Sequence, residues 1–467
     1  MKMWSGRFRQ PLDPEFERWQ RSFDFDRRLL RYELEASGAH ARALKNAGVL
    51  SADELIAILQ GLEQIGERAA TSAEFLDDPE AEDVHHFVEK QLAALIGDAG
   101  YKLHSGRSRN EQIATDLRLY VRATIDQLRQ EISELGSAIL DRAEQAGNAA
   151  MPAYTHLQKA EPVLVAHWLL AYLQMLLRDA DRLADCRKRL NVCPLGSGAV
   201  AGATVPLDRS LMAQSLGFDA PTANSMDATS DRDFTIEFVN ALSLLAIHLS
   251  RWAEEMILFS SQEYGFIGLP ETYSTGSSAM PQKKNPDLLE LVRGKSGRVI
   301  GSATALLVTM KGLPLAYNKD LQETQQLLFE PADTMLHMLP LVTGFVKAVE
   351  FHFDRMEQAA QSGFMNAWAG ATYLVNHGVP SRLAHERIGK AVQLAIERGC
   401  ELHELPLEEL QKISPAFGED FYDSLKLASV LDIHDVPGGT APERVRKALG
   451  PARNKIQSLR EEVHEHA

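Results

Sequence analysis

The chain is expected to be mainly α-helical, with a central bundle of long helices. Three observations lead there: apolar residues recur at steps of three and four over unusually long stretches, no run alternates apolar and polar residues long enough for a sizeable sheet, and no glycine-rich loop follows a candidate strand in the manner of a dinucleotide site. A length of 467 residues allows a large core and two or three domains. Soft boundaries near 107 and 360 give an N-terminal region of shorter helices, a central long-helix region and a C-terminal region of short helices.

The first long helix starts at Ser108. Ile113, Leu117, Val121, Ile125, Leu128, Ile132, Leu135 and Ile139 form its stripe, Ser108 and Glu111 a capping box, and Gly147 its stop. A second is expected after Glu161-Pro162, with proline at the first helical position, running to about Leu190. The third, from about Asp231 to Glu263, carries Phe234, Phe238, Leu242, Leu245, Leu249, Trp252, Met256 and Phe259 on one stripe. Ile236, Val239, Leu244 and Ile247 lie on its other faces, so it needs covering on more than one side. Asn285 and Pro286 are expected to cap a fourth, whose Gly294, Gly297, Gly301, Ala303 and Ala305 permit close helix approach. A fifth follows Asp320, interrupted by Pro331 and Pro340. Turns are expected at Gly378-Val379-Pro380 and Pro437-Gly438-Gly439, and a charged, solvated helix from about Ala441 to Glu465.

An apolar share of 45% and a charged share of 24% describe an ordinary folded chain. A formal net charge of -15 argues against a general nucleic-acid binder, so an anionic ligand has to be met by local cations. The start, Met1 to Phe8, has no secretory h-region, and no segment offers a charge-free transmembrane length; the expectation is a cytoplasmic protein without a membrane partner. Cys186, Cys193 and Cys400 are odd in number and lack metal or disulfide spacing, so three buried free thiols are expected and no metal.

Three segments concentrate chemistry. Thr275-Gly276-Ser277-Ser278-Ala279-Met280-Pro281-Gln282-Lys283-Lys284-Asn285-Pro286-Asp287 places hydroxyls, cations and an amide between backbone-restricting residues, a loop suited to a carboxylate whose charge grows during reaction. Gly106-Arg107-Ser108-Arg109-Asn110-Glu111 sets two guanidiniums and an amide at the positive end of a long helix dipole; most Arg-x-Arg pairs form only surface ion pairs, and proximity to such a loop is what favours an anion site. His156, in Tyr154-Thr155-His156-Leu157-Gln158, is read just before the second helix; a lone histidine is more often structural than catalytic. The run Gly196-Ser197-Gly198-Ala199-Val200-Ala201-Gly202 reads as a close-packed loop.

The 275–287 loop resembles the signature loop of the fumarase/aspartase superfamily of lyases, in the Gln-Lys-Lys-Asn-Pro-Asp form typical of its argininosuccinate lyase branch. The likeness extends through Trp4-Ser5-Gly6-Arg7-Phe8, Glu82-Asp83-Val84-His85, Gly106 to Asn110, Thr155 to Gln158, Ser225 to Phe234, Tyr317 to Glu323 and Gly438 to Pro442. The resemblance implies a mainly α three-domain lyase, a homotetramer whose long helices form a 20-helix core, and active sites assembled from three chains. It implies cofactor-free anti elimination of argininosuccinate to arginine and fumarate, a step of arginine biosynthesis.

In that scheme Ser277 takes the Cβ proton as an alkoxide, and Lys283, Asn285 and loop amides stabilise the doubly charged aci-carboxylate. His156, oriented by Glu290, handles the proton at the leaving guanidino nitrogen; older descriptions of the family exchange the roles of serine and histidine. The resemblance assigns Ser22, Arg109, Asn110 and Thr155 to substrate carboxylates and amino group, and Tyr317 and Gln322 to the arginine part. Gln325 stands where the family usually has lysine, which removes a charge-assisted contact. Three alternatives stay open: a sister lyase acting on adenylosuccinate, aspartate or malate; a non-catalytic crystallin-like protein on the same scaffold; and a helical scaffold whose basic loop docks an acidic partner.

Overall fold

The computed structural model describes residues 10–466; the Trp4 to Phe8 segment lies outside them. Helices α1 (Leu30–Asn46), α2 (Ala52–Thr71) and α3 (Val84–Ile96) are followed by the long α4 (Arg109–Ala146), a hairpin of β1 (Ala150–Thr155) and β2 (Gln158–Leu164), and the long helices α5 (Val165–Leu190) and α6 (Asp233–Ser260). The short strands β3 (Thr275–Gly276) and β4 (Lys284–Asn285) precede α7 (Asp287–Met310) and α8 (Glu323–Ala348). Helices α9 (Ala367–Asn376), α10 (Ser381–Arg398) and α11 (Pro442–His466) close the chain. The sheets formed among the described residues are two-stranded.

The chain forms two compact units. One comprises Met1–Gln127, Arg182–Ser243 and Arg298–Thr334; the other comprises Leu128–Asp181, Leu244–Gly297 and Met335–Ala467. The boundaries fall inside α4, α5, α6, α7 and α8.

In the first unit, α1 offers a face of small residues, Ala36, Ala39 and Ala43, which packs with Leu119 of α4 and with Cys193, Met212 and Phe218. Arg118 ties three segments: it donates to the Leu190 carbonyl at 2.9 Å, pairs with Asp231 and lies over the Phe234 ring. Tyr120 meets Phe329 of α8 edge-on. Such a guanidinium joins charge pairing to ring stacking, which lysine cannot do.

In the second unit, Trp168 and Tyr172 of α5 both donate to Glu255 of α6, at 2.7 and 2.5 Å, and His248 contacts Asp179 at 2.6 Å. Gly136 of α4 lets helices approach closely: a Cβ there would stand 2.5 Å from Ile456 Cδ1 and 3.1 Å from Leu173 Cδ1. The C-terminal helices bury Leu374, Ile388, Leu410, Phe417 and Phe421 in a core of their own.

Several boundaries differ from expectation. Pro162 lies in β2, opposite Pro152, and α5 begins at Val165; the hairpin takes residues that the proline signal assigned to a helix start. Helix α8 runs through Pro331 and Pro340 without a break, because burial of Leu328, Ala332, Met335, Leu339 and Val342 outweighs the missing hydrogen bonds. The Ser108 capping box is half formed: Glu111 accepts from Ser108 N, but Ser108 Oγ takes Asn110 N. Helix α11 is solvated on one side only, since Val445, Ala452, Ile456, Leu459 and Val463 are buried. Cys186 and Cys193 are buried, whereas Cys400 is half-buried. Helix α6 is long and apolar enough to cross a membrane, but over half of that stretch is buried inside the structure, as in a core helix.

Helix α7 exposes Leu291, Ile300, Leu307 and Val308, and open space surrounds its Gly294, Gly297 and Gly301. Leu244 and Ile247 of α6 are exposed as well.

Two outcomes follow from packing and burial. Gly136→Val should cost about 1–3 kcal/mol, read as a lower midpoint in chemical denaturation, because Ile456 and Leu173 leave no room. His40 is buried beside the Ser105 carbonyl, and burial and Arg107 push it down from 6.5 to about 3. The folded state keeps the ring neutral while the unfolded chain takes a proton, so this stabilisation is complete above pH 6.5 and is lost as pH falls towards about 3. Thermal melting of His40→Gln should therefore fall less steeply than that of the parent across this acid range.

Candidate active site

The loop at 277–283 is held at its base by β3 and β4, which pair antiparallel with Thr275 opposite Asn285 and Gly276 opposite Lys284. Thr275 Oγ1 donates to Asp287 Oδ2 at 2.5 Å, and Asn285 Nδ2 donates to Thr275 Oγ1 and the Gly276 carbonyl, at 3.4 and 3.3 Å. Asn285 thus braces the loop instead of capping α7. The two lysines divide their tasks: Lys284 Nζ is tied to the Leu269 carbonyl at 3.1 Å, whereas Lys283 makes no ion pair among the described residues.

At the centre of the loop, Ser277 Oγ accepts two backbone N–H groups, Ala279 at 3.3 Å and Met280 at 3.1 Å. Amides aimed at a hydroxyl oxygen stabilise it as an oxyanion. Lys283, exposed, closes the same turn through its own N–H to the Met280 carbonyl. Glu290 lies exposed in the first turn of α7.

His156 sits at the tip of the β1–β2 hairpin. It and Leu157 form a two-residue turn with φ of 56° and 57°, both left-handed, where Asn-Gly would be the relaxed choice. Two non-glycine residues held this way store backbone strain of the kind that gathers at functional sites. The turn projects both exposed residues, and Thr155 beside them, away from the sheet. Among the described residues no hydrogen bond or ion pair joins the His156 imidazole to Ser277, Glu290 or any other group.

The first unit gathers a second set. Ser22 is buried; its Oγ donates to Asp26 at 2.6 Å and its N–H to the Glu82 carbonyl. Arg109 pairs with Glu82 and Asp83 at 3.4 and 3.2 Å, and Asn110 Nδ2 donates to the Ala199 carbonyl at 3.1 Å. Arg107 turns inward, donating to Ser37 Oγ at 2.8 Å with Glu33 at 3.7 Å, whereas Arg109 meets carboxylates that are only partly buried. Burial raises the Tyr317 pKa, while Arg232 opposes it; Asp83, Arg109 and Asp26 also act on the phenol. Gln322 Nε2 donates to the Gln20 carbonyl at 3.1 Å. Gln325 is buried, and its Oε1 has no hydrogen-bond partner among the described residues.

The glycine run beside Asn110 is close-packed, as expected: Glu111 reaches Gly198 N at 2.7 Å, and a Cβ on Gly198 would stand 2.6 Å from the Gly202 carbonyl oxygen. It nevertheless forms, with His104 and Gly106 to Arg109, the wall of an open cavity of about 520 Å³ at the N-terminus of α4.

Residues 6–301 match the lyase family and residues 364–432 the argininosuccinate lyase C-terminal family. Argininosuccinate lyase of Koribacter versatilis is 60% identical over 99% of both chains, and that of Acidobacterium capsulatum 59% identical over 98% of this chain and 96% of its own. The chain belongs to the argininosuccinate lyase family. Among solved structures, an EDDS lyase variant with bound fumarate superposes with a TM-score of 0.84 at 26% identity, over 98% of this chain and 93% of that one. The 3-carboxy-cis,cis-muconate lactonizing enzyme of Pseudomonas putida, with a TM-score of 0.71 and 20% identity over 96% of this chain and all of its own, shares the fold. A mainly α lyase fold is thus common to these chains.

Sequence reasoning missed Asp26, the carboxylate that holds Ser22, although the four-residue spacing of the pair on a short helical stretch was the available signal. It also missed Asp287 as the anchor of the loop base. Asp287→Ala should leave helix content unchanged while cleavage in 277–283 under limited proteolysis speeds up severalfold, since Thr275 loses its acceptor.

Proposed function

We propose that the protein splits argininosuccinate into arginine and fumarate, without a cofactor, as a homotetramer in the cytoplasm. The observation that carries this reading is Ser277 Oγ under two backbone N–H donors, in the same loop as a lysine that makes no ion pair among the described residues. Free serine is far too weak a base for a carbon acid, and two fixed donors plus Lys283 are the means of holding it as an alkoxide.

Ser277 removes the proton from Cβ of the succinyl part. The adjacent carboxylate then takes up a second negative charge, which Lys283 and the loop amides meet; fixed donors of this kind contribute about 3 kcal/mol each. Asn285 keeps the loop base in register. His156 delivers a proton to the guanidino nitrogen as the Cα–N bond breaks, with Glu290 orienting the ring. Ser22, Arg109, Asn110 and Thr155 bind substrate carboxylates and amino group, and Tyr317, Gln322 and Gln325 bind the arginine part.

The unpartnered imidazole of His156 supports sites completed by other copies of the chain. So do the exposed apolar residues and open glycines of α7, together with Leu244 and Ile247 of α6. A three-domain division near 107 and 360 belongs to the same reading.

Mixing the protein with argininosuccinate should raise the ultraviolet absorbance of fumarate, while adenylosuccinate, aspartate and malate should give none. Silence with all four from a folded tetramer would favour the crystallin-like alternative. Ser277→Ala should lower turnover by about a thousandfold with the fold intact; activity within about tenfold of the parent would remove Ser277 from the mechanism. Gln325→Lys should lower the Michaelis constant about tenfold by restoring a charge-assisted contact, and an unchanged value would show that the amide suffices.

A further inference from the structure

In the first unit, three helices each bring a charged side chain into the same dry space. Glu33 of α1, His85 of α3 and Asp116 of α4 are buried, and one ligating atom from each lies within 4.8 Å of the others. Glu33 collects the donors: His85 Nδ1 at 2.8 Å, Ser37 Oγ at 2.6 Å and Gln112 Nε2 at 3.0 Å, with Arg107 at 3.7 Å. Asp116 collects none. Among the described residues neither of its oxygens has a donor, its distance to His85 Nδ1 is 3.7 Å, and one of its oxygens lies within 4.8 Å of an oxygen of Glu33.

Two facing carboxylates with no donor between them repel, and one proton between them turns the contact into a strong hydrogen bond. The balance of charge agrees. Asp26, Glu33, Glu82, Asp83 and Asp116 face His85, Arg107, Arg109 and Lys319, so five carboxyls meet four cations and one proton neutralises the cluster. The other titratable groups nearby are His40 on α1, His86 and Glu89 on α3, and His104 before α4. The three histidines are held below their usual value, chiefly by burial, and Glu89 above its own, also by burial.

We propose that Asp116 carries a proton in the working protein and donates it to Glu33, forming a proton-dependent brace between α1, α3 and α4 that positions Ser22 and Arg109. Burial and the Glu33 charge hold the Asp116 carboxyl well above the usual range; for Glu33, His85 and Arg107 outweigh burial and keep it ionised, at about 2. The brace reaches the binding groups by short routes. Asp26 accepts from Ser22 Oγ at 2.6 Å and from Val84 N, next to His85, at 3.0 Å, while Asp83 holds Arg109. A divalent cation is the competing occupant of Glu33, His85 and Asp116; the hydrogen bond between His85 and Glu33 and the nearby Arg107 argue against it. The positioning role rests on the proposed binding roles of Ser22 and Arg109.

The test is infrared spectroscopy of the whole protein labelled with carboxyl-13C aspartate, joined to the pH dependence of the Michaelis constant for argininosuccinate. A protonated-carboxyl band that moves with the aspartate label should persist above the range in which Asp26, pushed up to about 7, ionises, and it should be missing in Asp116→Asn. The parent's Michaelis constant should rise about tenfold at alkaline pH with a smaller change in kcat, Asp116→Asn should lack that rise, and Asp116→Leu should show it at every pH. The parent spectrum alone decides the matter if a variant does not fold. Absence of an aspartate band above that range overturns the proposal, as does one tightly bound divalent cation per chain whose removal by a chelator lowers the melting temperature. A persistent band in a protein that does not cleave argininosuccinate would overturn the proposed function and leave the shared proton standing.

Discussion

A carboxylate taken wholly out of water has to be surrounded by donors, and Glu33 sets that condition for the N-terminal third of the chain. Meeting it draws Ser37 from one helical turn away, His85 from α3, and Gln112 and Arg107 from the start of α4. The arginine committed in this way is lost to any ligand. Its neighbour Arg109, two residues on, pairs instead with the partly buried Glu82 and Asp83, and is the arginine to which the proposed function gives a substrate carboxylate.

The loop at 275–287 meets a different requirement under the proposed function. A serine acting as a base needs donors fixed in place before the reaction, since donors that must reorganise add to the barrier. Two-residue strands, a threonine bonded to an aspartate and an asparagine bonded across the strands fix the base of the loop, and the loop's own amides then converge on Ser277 Oγ. In the proposed reaction Lys283, exposed on a flexible stem, follows charge as it develops.

The long helices were legible in the sequence because their apolar spacing is a consequence of packing itself. The α4 stripe from Ile113 to Ile139 is buried along its length, and α6 starts and stops within three residues of expectation. What was not legible depends on competition between local signals and distant partners. Pro162 carries a helix-start signal, but β1 offers its segment a strand partner. Pro331 and Pro340 carry helix-break signals, but a buried face keeps α8 whole. In the candidate site, the loop residues could be found because their types are unusual together. The left-handed turn under His156 could not, because neither histidine nor leucine announces positive φ. The inward turn of Arg107 was hidden for a similar reason: it is decided by Glu33, more than seventy residues away in sequence.

The uncovered face of α7 has a consequence for how such a protein behaves at low concentration. On the tetrameric reading, the residues that finish each catalytic centre and the apolar side chains that hold the copies together are removed by the same event, dissociation. Dilution then lowers activity per chain and stability in step, and substrate, by bridging groups from several chains, opposes both losses. An enzyme built this way is regulated by its own abundance: scarce chains are inactive as well as fragile, and a cell that makes few of them obtains less than a proportional share of the reaction.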